Sequence, residues 1–435
     1  MFFRIWLCGV IATMFMASGL ATAKEPVTLV QFLETALASH LEVISHEFSV
    51  REAEARLVAA KSRPELELNI DLGYYHVQPW QSVLDSRAAR IGIEGCSRFG
   101  AAYRLDADLK GKTVQFQLAL PLFKPASLLP HYQEIKSCEH SYAGAKIVHQ
   151  MIKEEVVLAA VQCFLNIWRL QEAVKIYQAV IDWLGSHQGI MAAAHRAGAV
   201  HELDLAFAQL QYEQQINAME KLLGQLEAEK MLAVKVFGIP PGAEFVHDPT
   251  LFDPGILEAV LDWQQAPTIT LAELNYDLAM TQMQAAEAAF GVQGELKLGV
   301  HSDRTWSVEC SIRVPMFDQV YRSNQIAAAN AKLTEAEFEV ERAKSEIECE
   351  HIYRQVQLHA VKSNLKTAIT TRDLAFRQKE IAEEQYAMGL LSLLEFLKVC
   401  EQEANAYLEL VDAQYEYQLA QVQLRLSGRS QNSDG

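Results

Sequence analysis

Residues 113–123 are Thr-Val-Gln-Phe-Gln-Leu-Ala-Leu-Pro-Leu-Phe. Apolar residues occupy every second position from Val114 to Leu122, which is the pattern of a β-strand with one apolar face. Pro121 cannot donate a hydrogen bond to a neighbouring strand, so it closes the strand and redirects the chain. The stretch therefore predicts a strand over 113–123 that ends at a junction with a different kind of element.

The element after this junction has a helical period. From Leu128 to Leu184, apolar residues recur in steps of three and four that average about 3.5, the period of a coiled coil. A helix over 126–195 would be about 100 Å long, which is more than a compact globular domain accommodates. A second long helix is predicted over 319–388, which is rich in Ala, Glu, Gln and Lys. The two helices together indicate an extended coiled coil.

The strand-to-helix junction occurs twice in the chain. Pro315-Met316-Phe317 ends a second alternating stretch, as Pro121-Leu122-Phe123 ends the first. Each long helix is followed by a glycine, Gly198 in the first half and Gly389 in the second, that suits the left-handed residue after a helix. The two prolines and the two glycines are separated by nearly the same number of residues. This common offset predicts an internal twofold repeat.

Each repeat is predicted to contain a helix, two strands, a long helix and a further helix. In the first repeat, 24–237, helices are predicted at 28–62, 126–195 and 201–237 and strands at 66–75 and 113–123. In the second repeat, 267–427, helices are predicted at 267–292, 319–388 and 392–426 and strands at 295–302 and 306–315. The proline-rich segment 238–266 is interpreted as a connector or small side domain, and 428–435 as a flexible tail. The predicted fold class is mainly α with β, with four strands per chain.

One segment breaks the symmetry. The first pair of strands is separated by residues 76–112, whereas only a few residues separate the second pair. We interpret 76–112 as a long loop. If the strands belong to a membrane barrel, an outer loop is the usual place for such an insertion. Additional strands within the segment are the alternative.

The polar faces of the predicted strands carry full charges: Glu67, Asp71, Glu309 and Arg313. An alternating strand fits both a soluble sandwich and a membrane barrel. Charged positions are more easily accommodated in the watery lumen of a barrel, which favours the barrel. The assignment of these residues to a lumen depends on strand parity, which an error of one residue would invert.

The N-terminus has the features of a secretory signal peptide. Arg4 precedes an apolar run from Ile5 to Leu20, which ends at the small-residue pattern Ala21-Thr22-Ala23. Cleavage would remove residues 1–23, and a membrane anchor is the alternative interpretation. No later stretch has the roughly 20 apolar residues of a spanning helix. The formal net charge of −17 argues against nucleic acid as a partner.

No catalytic motif is present in the sequence. It contains no P-loop, no GxSxG, no HExxH and no glycine-rich dinucleotide turn. The cysteines are scattered without a CxxC pair, and the histidines lack carboxylate or cysteine partners at ligand spacing. We therefore expect no catalytic residue, no cofactor and no metal site, and a protein that is not an enzyme. Pairing of the exported cysteines is left open.

These features together resemble the outer membrane efflux protein family, the TolC-like channels. The resemblance covers nearly the whole mature chain. The residues that carry it are the opening helix from Thr28-Leu29 to Leu37, Pro64 before the first strand, the two proline-containing strand exits, and Tyr386-Ala387-Met388-Gly389-Leu390-Leu391-Ser392-Leu393-Leu394-Glu395.

The resemblance implies a homotrimer in the cell outer membrane. Each chain would contribute four strands to a 12-stranded barrel in outer-membrane lipid, and its long helices would form a hollow α-barrel in the periplasm. Four strands cannot close alone, and lipid leaves open strand edges unsatisfied, so other copies are required on physical grounds too. The implied partners are a periplasmic adaptor protein and an inner-membrane transporter.

The implied function is a passive exit duct for small molecules or polypeptides in a tripartite efflux or type I secretion system. Two other classes are weighed against it. A structural or adhesin-like coiled-coil protein would carry no solute. A periplasmic adaptor would need a lipoyl-like β domain between its helices, whereas the strands here occur in pairs at helix ends.

The family closes its periplasmic tip with polar links and acidic side chains near the helix turns. By position in the motif, Asp204 and Glu395 match the acids and Tyr386 matches a latching tyrosine. Leu391 and Lys398 depart from the family pattern, which has an arginine and an acid there. A first-turn carboxylate is also favourable at any helix N-terminus, which is the alternative explanation for both acids.

Overall fold

The structure is a computed structural model in which residues 26–62, 67–77, 84–96, 101–108, 113–122, 130–196, 201–246, 266–302, 304–313 and 319–427 are described. The predicted signal peptide and the predicted C-terminal tail lie outside these residues. The chain divides into two compact units, each assembled from separate stretches of sequence. The first unit is formed by 1–44, 152–263 and 349–429, and the second by 45–151, 264–348 and 430–435.

The described helices occur where the sequence predicts them. They are α1 Leu29–Ser39, α2 Leu41–Lys61, α3 Pro130–Arg196, α4 Glu202–Phe237, α5 Pro267–Ala289, α6 Gln319–Ala387 and α7 Leu393–Ser427. The first predicted helix, 28–62, is divided in two because His40 adopts an extended conformation with ψ of 124°. Within the described residues, none of the helices combines the length and apolar character that crossing a membrane requires.

Eight described strands accompany the helices. They are β1 Pro26–Val27, β2 Glu67–Val77, β3 Leu84–Cys96, β4 Ala102–Asp108, β5 Thr113–Pro121, β6 Glu244–Phe245, β7 Gln293–His301 and β8 Trp306–Arg313. The four predicted strands correspond to β2, β5, β7 and β8. The prediction of four strands per chain is wrong, because β3 and β4 lie within the segment 76–112. Of the two interpretations of this segment, additional strands are correct and a long outer loop is not. β3 is hydrogen-bonded to β2, and β4 is hydrogen-bonded to β5. These pairings stabilise two strands that the local sequence pattern does not predict.

The core of the first unit forms around Phe32. This side chain is fully buried, and its ring lies 5.7 Å from Phe164, 5.5 Å from Phe237 and 6.0 Å from Phe245. Thr28 caps α1 by accepting a hydrogen bond from the Gln31 N–H, while the Gln31 side chain accepts one from the Thr28 N–H. Phe245 belongs to β6, which pairs in parallel with β1. Part of the predicted connector 238–266 is thus built into this core.

The sheet of the second unit has six antiparallel strands in the order β2-β3-β4-β5-β7-β8. Along its central rows, the register places residues of like character opposite one another. Phe116 lies opposite Val300, which lies opposite Trp306; Gln117 lies opposite Gly299, which lies opposite Ser307. The sheet therefore has one mainly apolar and one mainly polar face, as expected from alternating strands. At one end of β3, the charged positions Arg87 and Asp85 fall in the register of the apolar face.

Candidate functional site

The turn after α6 is one candidate site, because the sequence places Tyr386 and Glu395 on either side of it. Gly389 has φ of 75°, a left-handed conformation that a Cβ would disfavour. The Gly389 N–H donates to the Tyr386 carbonyl at 2.9 Å, and the Leu390 N–H donates to the Gln385 carbonyl at 2.9 Å. This pair of hydrogen bonds is the Schellman motif, which ends α6 and reverses the chain.

A capping box starts α7 three residues later. The Ser392 N–H and hydroxyl donate to a carboxylate oxygen of Glu395, at 3.0 and 2.7 Å, and the Glu395 N–H donates to the hydroxyl at 3.4 Å. The hydrogen bond from the Ser392 side chain, followed by that from its backbone, lowers the pKa of the exposed Glu395 carboxyl below its usual value. Glu395 is therefore ionised near neutral pH and stabilises the first turn of α7.

Aromatic rings from three helices pack directly behind this turn. The Tyr386 and Phe396 rings stack almost in parallel with centroids 5.0 Å apart, and Trp183 meets Phe396 edge-on at 5.3 Å. His187 lies 4.0 Å from the Trp183 ring, and its Nδ1 donates to the Trp183 carbonyl at 3.2 Å. We call these four residues the tip cluster. Phe396 is 2% exposed, so the cluster fixes the start of α7 against α3 and α6.

The remaining residues predicted for the tip have simpler surroundings. Leu391, where the family pattern has an arginine, packs partly buried against the tip cluster. Lys398 is exposed. Asp204 lies in the first turn of α4, after an N-cap at His201 that accepts from the Leu203 N–H at 3.3 Å. Gly198, with the first predicted turn, and Pro315 lie outside the described residues.

A cavity of about 440 Å³ lies beside the tip cluster, between α3, α6 and α7. Lys379 and Glu403 form an ion pair of 2.7 Å on its wall, and the Cys400 thiol also lines it. Burial raises the pKa of Cys400 to about 11, so the thiol is protonated near neutral pH and is not an activated nucleophile. Cys138, Cys163, Cys310, Cys349 and Cys400 are free thiols.

The polar face of the six-stranded sheet is the second candidate site. Glu67 and Asp71 on β2 and Glu309 and Arg313 on β8, all predicted to face one side, occupy register positions on this face. Pro121, at the end of β5, lies opposite Glu295. Arg104 and Asp106 form an ion pair of 2.8 Å on the same face, and Lys297 and Glu295 one of 3.3 Å. The face thus presents charges of both signs.

Sequence reasoning missed Trp183, His187 and Phe396. Their contacts join helices that are far apart in the chain, and each residue alone is typical of an ordinary helix surface or core. The one local signal was the position of Phe396 beside Glu395 in the turn motif. Within the described ranges, no group of three or more His, Cys, Asp or Glu side chains is arranged to hold a metal ion.

Comparison with known proteins identifies the fold. No family model and no curated protein matches the sequence. Among solved structures, CusC has a TM-score of 0.73 and 14% identity over 95% of this chain and 96% of its own. The outer membrane protein VceC of Vibrio cholerae has a TM-score of 0.69 and 14% identity, over 92% of this chain and 96% of its own. The Campylobacter jejuni outer membrane channel CmeC has a TM-score of 0.70 and 16% identity, over 93% of this chain and 87% of its own. The resemblance predicted from the sequence is therefore confirmed at the level of the fold: this chain has the TolC-like fold of outer-membrane channels.

Proposed function

We propose that this chain is the outer-membrane channel subunit of a tripartite efflux or type I secretion system. It acts as a passive exit duct for small molecules or polypeptides. The observation that carries the proposal is the six-stranded sheet, whose two faces differ so strongly that one suits lipid and the other suits a watery lumen.

The apolar face is exposed in the single chain. Trp306 is 75% exposed and Ile312 is 62% exposed, and large apolar neighbours on β5 and β7 are exposed too. A contiguous apolar patch on a sheet marks a surface that another phase or partner covers. Outer-membrane lipid is the partner that fits uncharged rows on this face, such as Phe116, Val300 and Trp306.

The opposite face supports a conducting lumen. Ion pairs such as Arg104–Asp106 are stable in contact with water and costly in hydrocarbon. Placed inside a barrel, this face lines a path for hydrated solutes and performs no chemistry on them.

Assembly of several copies follows from the strand edges. Within the described residues, β2 and β8 each have one neighbour, so each leaves one edge unpaired. Unpaired backbone groups are very unfavourable in lipid, and a homotrimer would pair them between copies. A periplasmic adaptor and an inner-membrane transporter complete the proposed system.

The turn at Gly389 is proposed to lie at the periplasmic tip, with Asp204, Tyr386 and Glu395 near the closure. The support is local. Tyr386 and Glu395 are held in fixed positions by the tip cluster and the capping box, so they have the rigidity that a closure residue needs.

The function is tested by reconstituting the purified full chain in planar bilayers. We expect discrete single-channel currents and expect the wild-type protein to make liposomes permeable to small sugars. A structural or adhesin-like coiled-coil protein would bind membranes or partners without either activity. Absence of both currents and permeability in a preparation that is folded by circular dichroism would contradict the proposal.

A further inference from the structure

The hairpin formed by β3 and β4 lies inside the sheet. β3 pairs with β2 over the full length of β2, from Glu67 opposite Glu94 to Val77 opposite Leu84. β4 pairs with β3 on one side and with β5 on the other. Removing the hairpin would separate β2 from the other strands. The segment 76–112 is therefore part of the wall formed by the sheet.

The hairpin also continues both faces of the sheet. One row of directly opposed residues crosses all six strands and is apolar throughout: Leu68, Ile93, Leu105, Phe116, Val300 and Trp306. The adjacent row crosses the same strands and is polar or glycine: Glu67, Glu94, Arg104, Gln117, Gly299 and Ser307. A hairpin that folded over the outside of a barrel would have no need of this agreement along the two rows. Further along β3 the agreement ends, since Arg87 lies opposite Tyr74 and Asp85 lies opposite His76.

The edges of the sheet are suited to pairing between copies. Because the six strands are all antiparallel and even in number, β2 and β8 run in opposite directions. A β8 strand of one copy is therefore antiparallel to the β2 strand of the next, which is the orientation that a closed antiparallel barrel requires.

We propose that each copy contributes all six strands to the barrel, and that neighbouring copies pair through β8 and β2. The proposal rests on the proposed channel function. Three copies of a six-stranded sheet give eighteen strands in place of the twelve that the family resemblance implies. Because barrel diameter grows roughly linearly with strand number, the barrel is about half again as wide. The hairpin also adds five charged positions to the lumen: Arg90, Glu94, Arg104, Asp106 and Asp108.

The test compares positions on β4 with matched positions on β5, which lies in the wall in either architecture. Single cysteines replace Leu105 and Arg104 on β4, and Phe116 and Gln117 on β5, in a full-length background whose native cysteines are serine. Each is labelled with bimane and reconstituted. Brominated phosphatidylcholine is the lipid-phase quencher and iodide is the aqueous quencher.

We expect Leu105→Cys to be quenched by the brominated lipid as strongly as Phe116→Cys, and Arg104→Cys to be quenched by iodide as is Gln117→Cys. If Leu105→Cys is reached by iodide and not by lipid, while the β5 pair behaves as expected, the hairpin lies outside the wall and the inference is wrong. Currents from the same preparation show that such a result leaves the channel function intact. Absence of currents would instead contradict the proposed function.

A second measurement needs no substitution. End-on electron-microscopy averages of the wild-type assembly give the diameter of the membrane barrel. A diameter about half again that of a twelve-stranded barrel supports the inference, and a diameter equal to it overturns the inference.

Discussion

Glu395 is held by its own helix. Its carboxylate accepts from the Ser392 hydroxyl at 2.7 Å and from the Ser392 N–H at 3.0 Å, so its position follows from capping alone. The sequence offered two explanations for this residue, a tip acid and a first-turn carboxylate, and they are compatible. A capped carboxylate is both fixed in place and ionised, which are the properties that a ring of charge at a closure requires.

The capping contact makes the start of α7 sensitive to pH. The folded-state pKa of Glu395 lies below its unfolded value of 4.5, so its contribution is fully present above that value and is lost as pH falls through the folded pKa. We expect amide exchange in the first turn of α7 to accelerate over that acidic range. Glu395→Gln should remove this pH dependence. Exchange rates in the wild type that stay constant across the range would contradict the assignment.

The gate proposal needs a different readout. Replacing both Asp204 and Glu395 by Ala should weaken block of the channel by divalent cations, because two acidic groups per copy are lost from the proposed closure. Asn and Gln at the same positions remove the charges and keep the side-chain size, so they should have the same effect. The matched control is Glu401→Ala with Glu409→Ala, which removes two exposed carboxylates further along α7. Unaltered block in the first pair, or an equal change in the control, would reject the gate.

At the scale of elements, two helix ends are formed by left-handed glycines with different surroundings. Gly389 has nothing within 4 Å of a hypothetical Cβ. At Gly238, which has φ of 68°, a Cβ would lie 2.5 Å from the Ser39 Oγ and 2.7 Å from the Ser39 Cβ. Ser39 in turn donates to the Phe237 carbonyl at 2.8 Å, so it has little freedom to move.

Alanine substitutions at Gly389 and Gly238 therefore distinguish the effect of backbone strain alone from that of strain combined with steric overlap. Gly389→Ala should destabilise by about 1–2 kcal/mol, the cost of a left-handed alanine. Gly238→Ala should cost about 1–3 kcal/mol more, because the added methyl group also overpacks the contact with Ser39. Thermal unfolding followed by circular dichroism measures both. Gly242→Ala, with φ of 83° and open space around it, is the control and should match Gly389→Ala. Equal losses at all three glycines would show that the overlap with Ser39 is relieved easily.

The elements show which parts of the fold the sequence pattern predicts. Long helices such as α3 are predictable because a 3.5-residue period persists over many turns, whereas the break at His40 has no proline or glycine to announce it. The strand β3 is not predictable from the sequence pattern, because residues 85–90 are Asp-Ser-Arg-Ala-Ala-Arg, with no alternation of apolar and polar residues. Its conformation is stabilised by its neighbours in the sheet, and strand preference depends on such context.

The candidate sites divide in the same way. Gly389 and Glu395 belong to a short motif whose hydrogen bonds are local, so their positions are predictable from sequence. Trp183 and Phe396 meet only because α3 and α7 pack together in the first unit. No spacing within one segment reports such a contact.

At the scale of the whole molecule, the proposed lumen has an excess of negative charge. Register positions on the polar face hold seven acidic residues, Glu67, Asp71, Glu94, Asp106, Asp108, Glu295 and Glu309, and four basic residues, Arg90, Arg104, Lys297 and Arg313. The imbalance has the same sign as the formal net charge of −17. In the proposed assembly, every copy would add its own excess to one shared lumen, so the field experienced by a passing ion would be larger than that of a single chain.

The excess of acidic residues on the polar face predicts a channel with modest cation selectivity. Substitution of one of these residues should reduce that selectivity. Glu309 is exposed and lies opposite Lys297 in the register. Across Glu309, Glu309→Gln and Glu309→Lys, the reversal potential in a KCl gradient should shift stepwise toward anions, since each step makes the charge at this position one unit more positive per copy. The shift should shrink between 0.1 and 1 M salt, because the screening length falls from about 10 to about 3 Å. The graded series is its own control, as a structural disturbance has no reason to follow charge. A reversal potential that is the same for all three side chains at 0.1 M would place Glu309 outside the conducting path and would remove the main support for a lumen along this face.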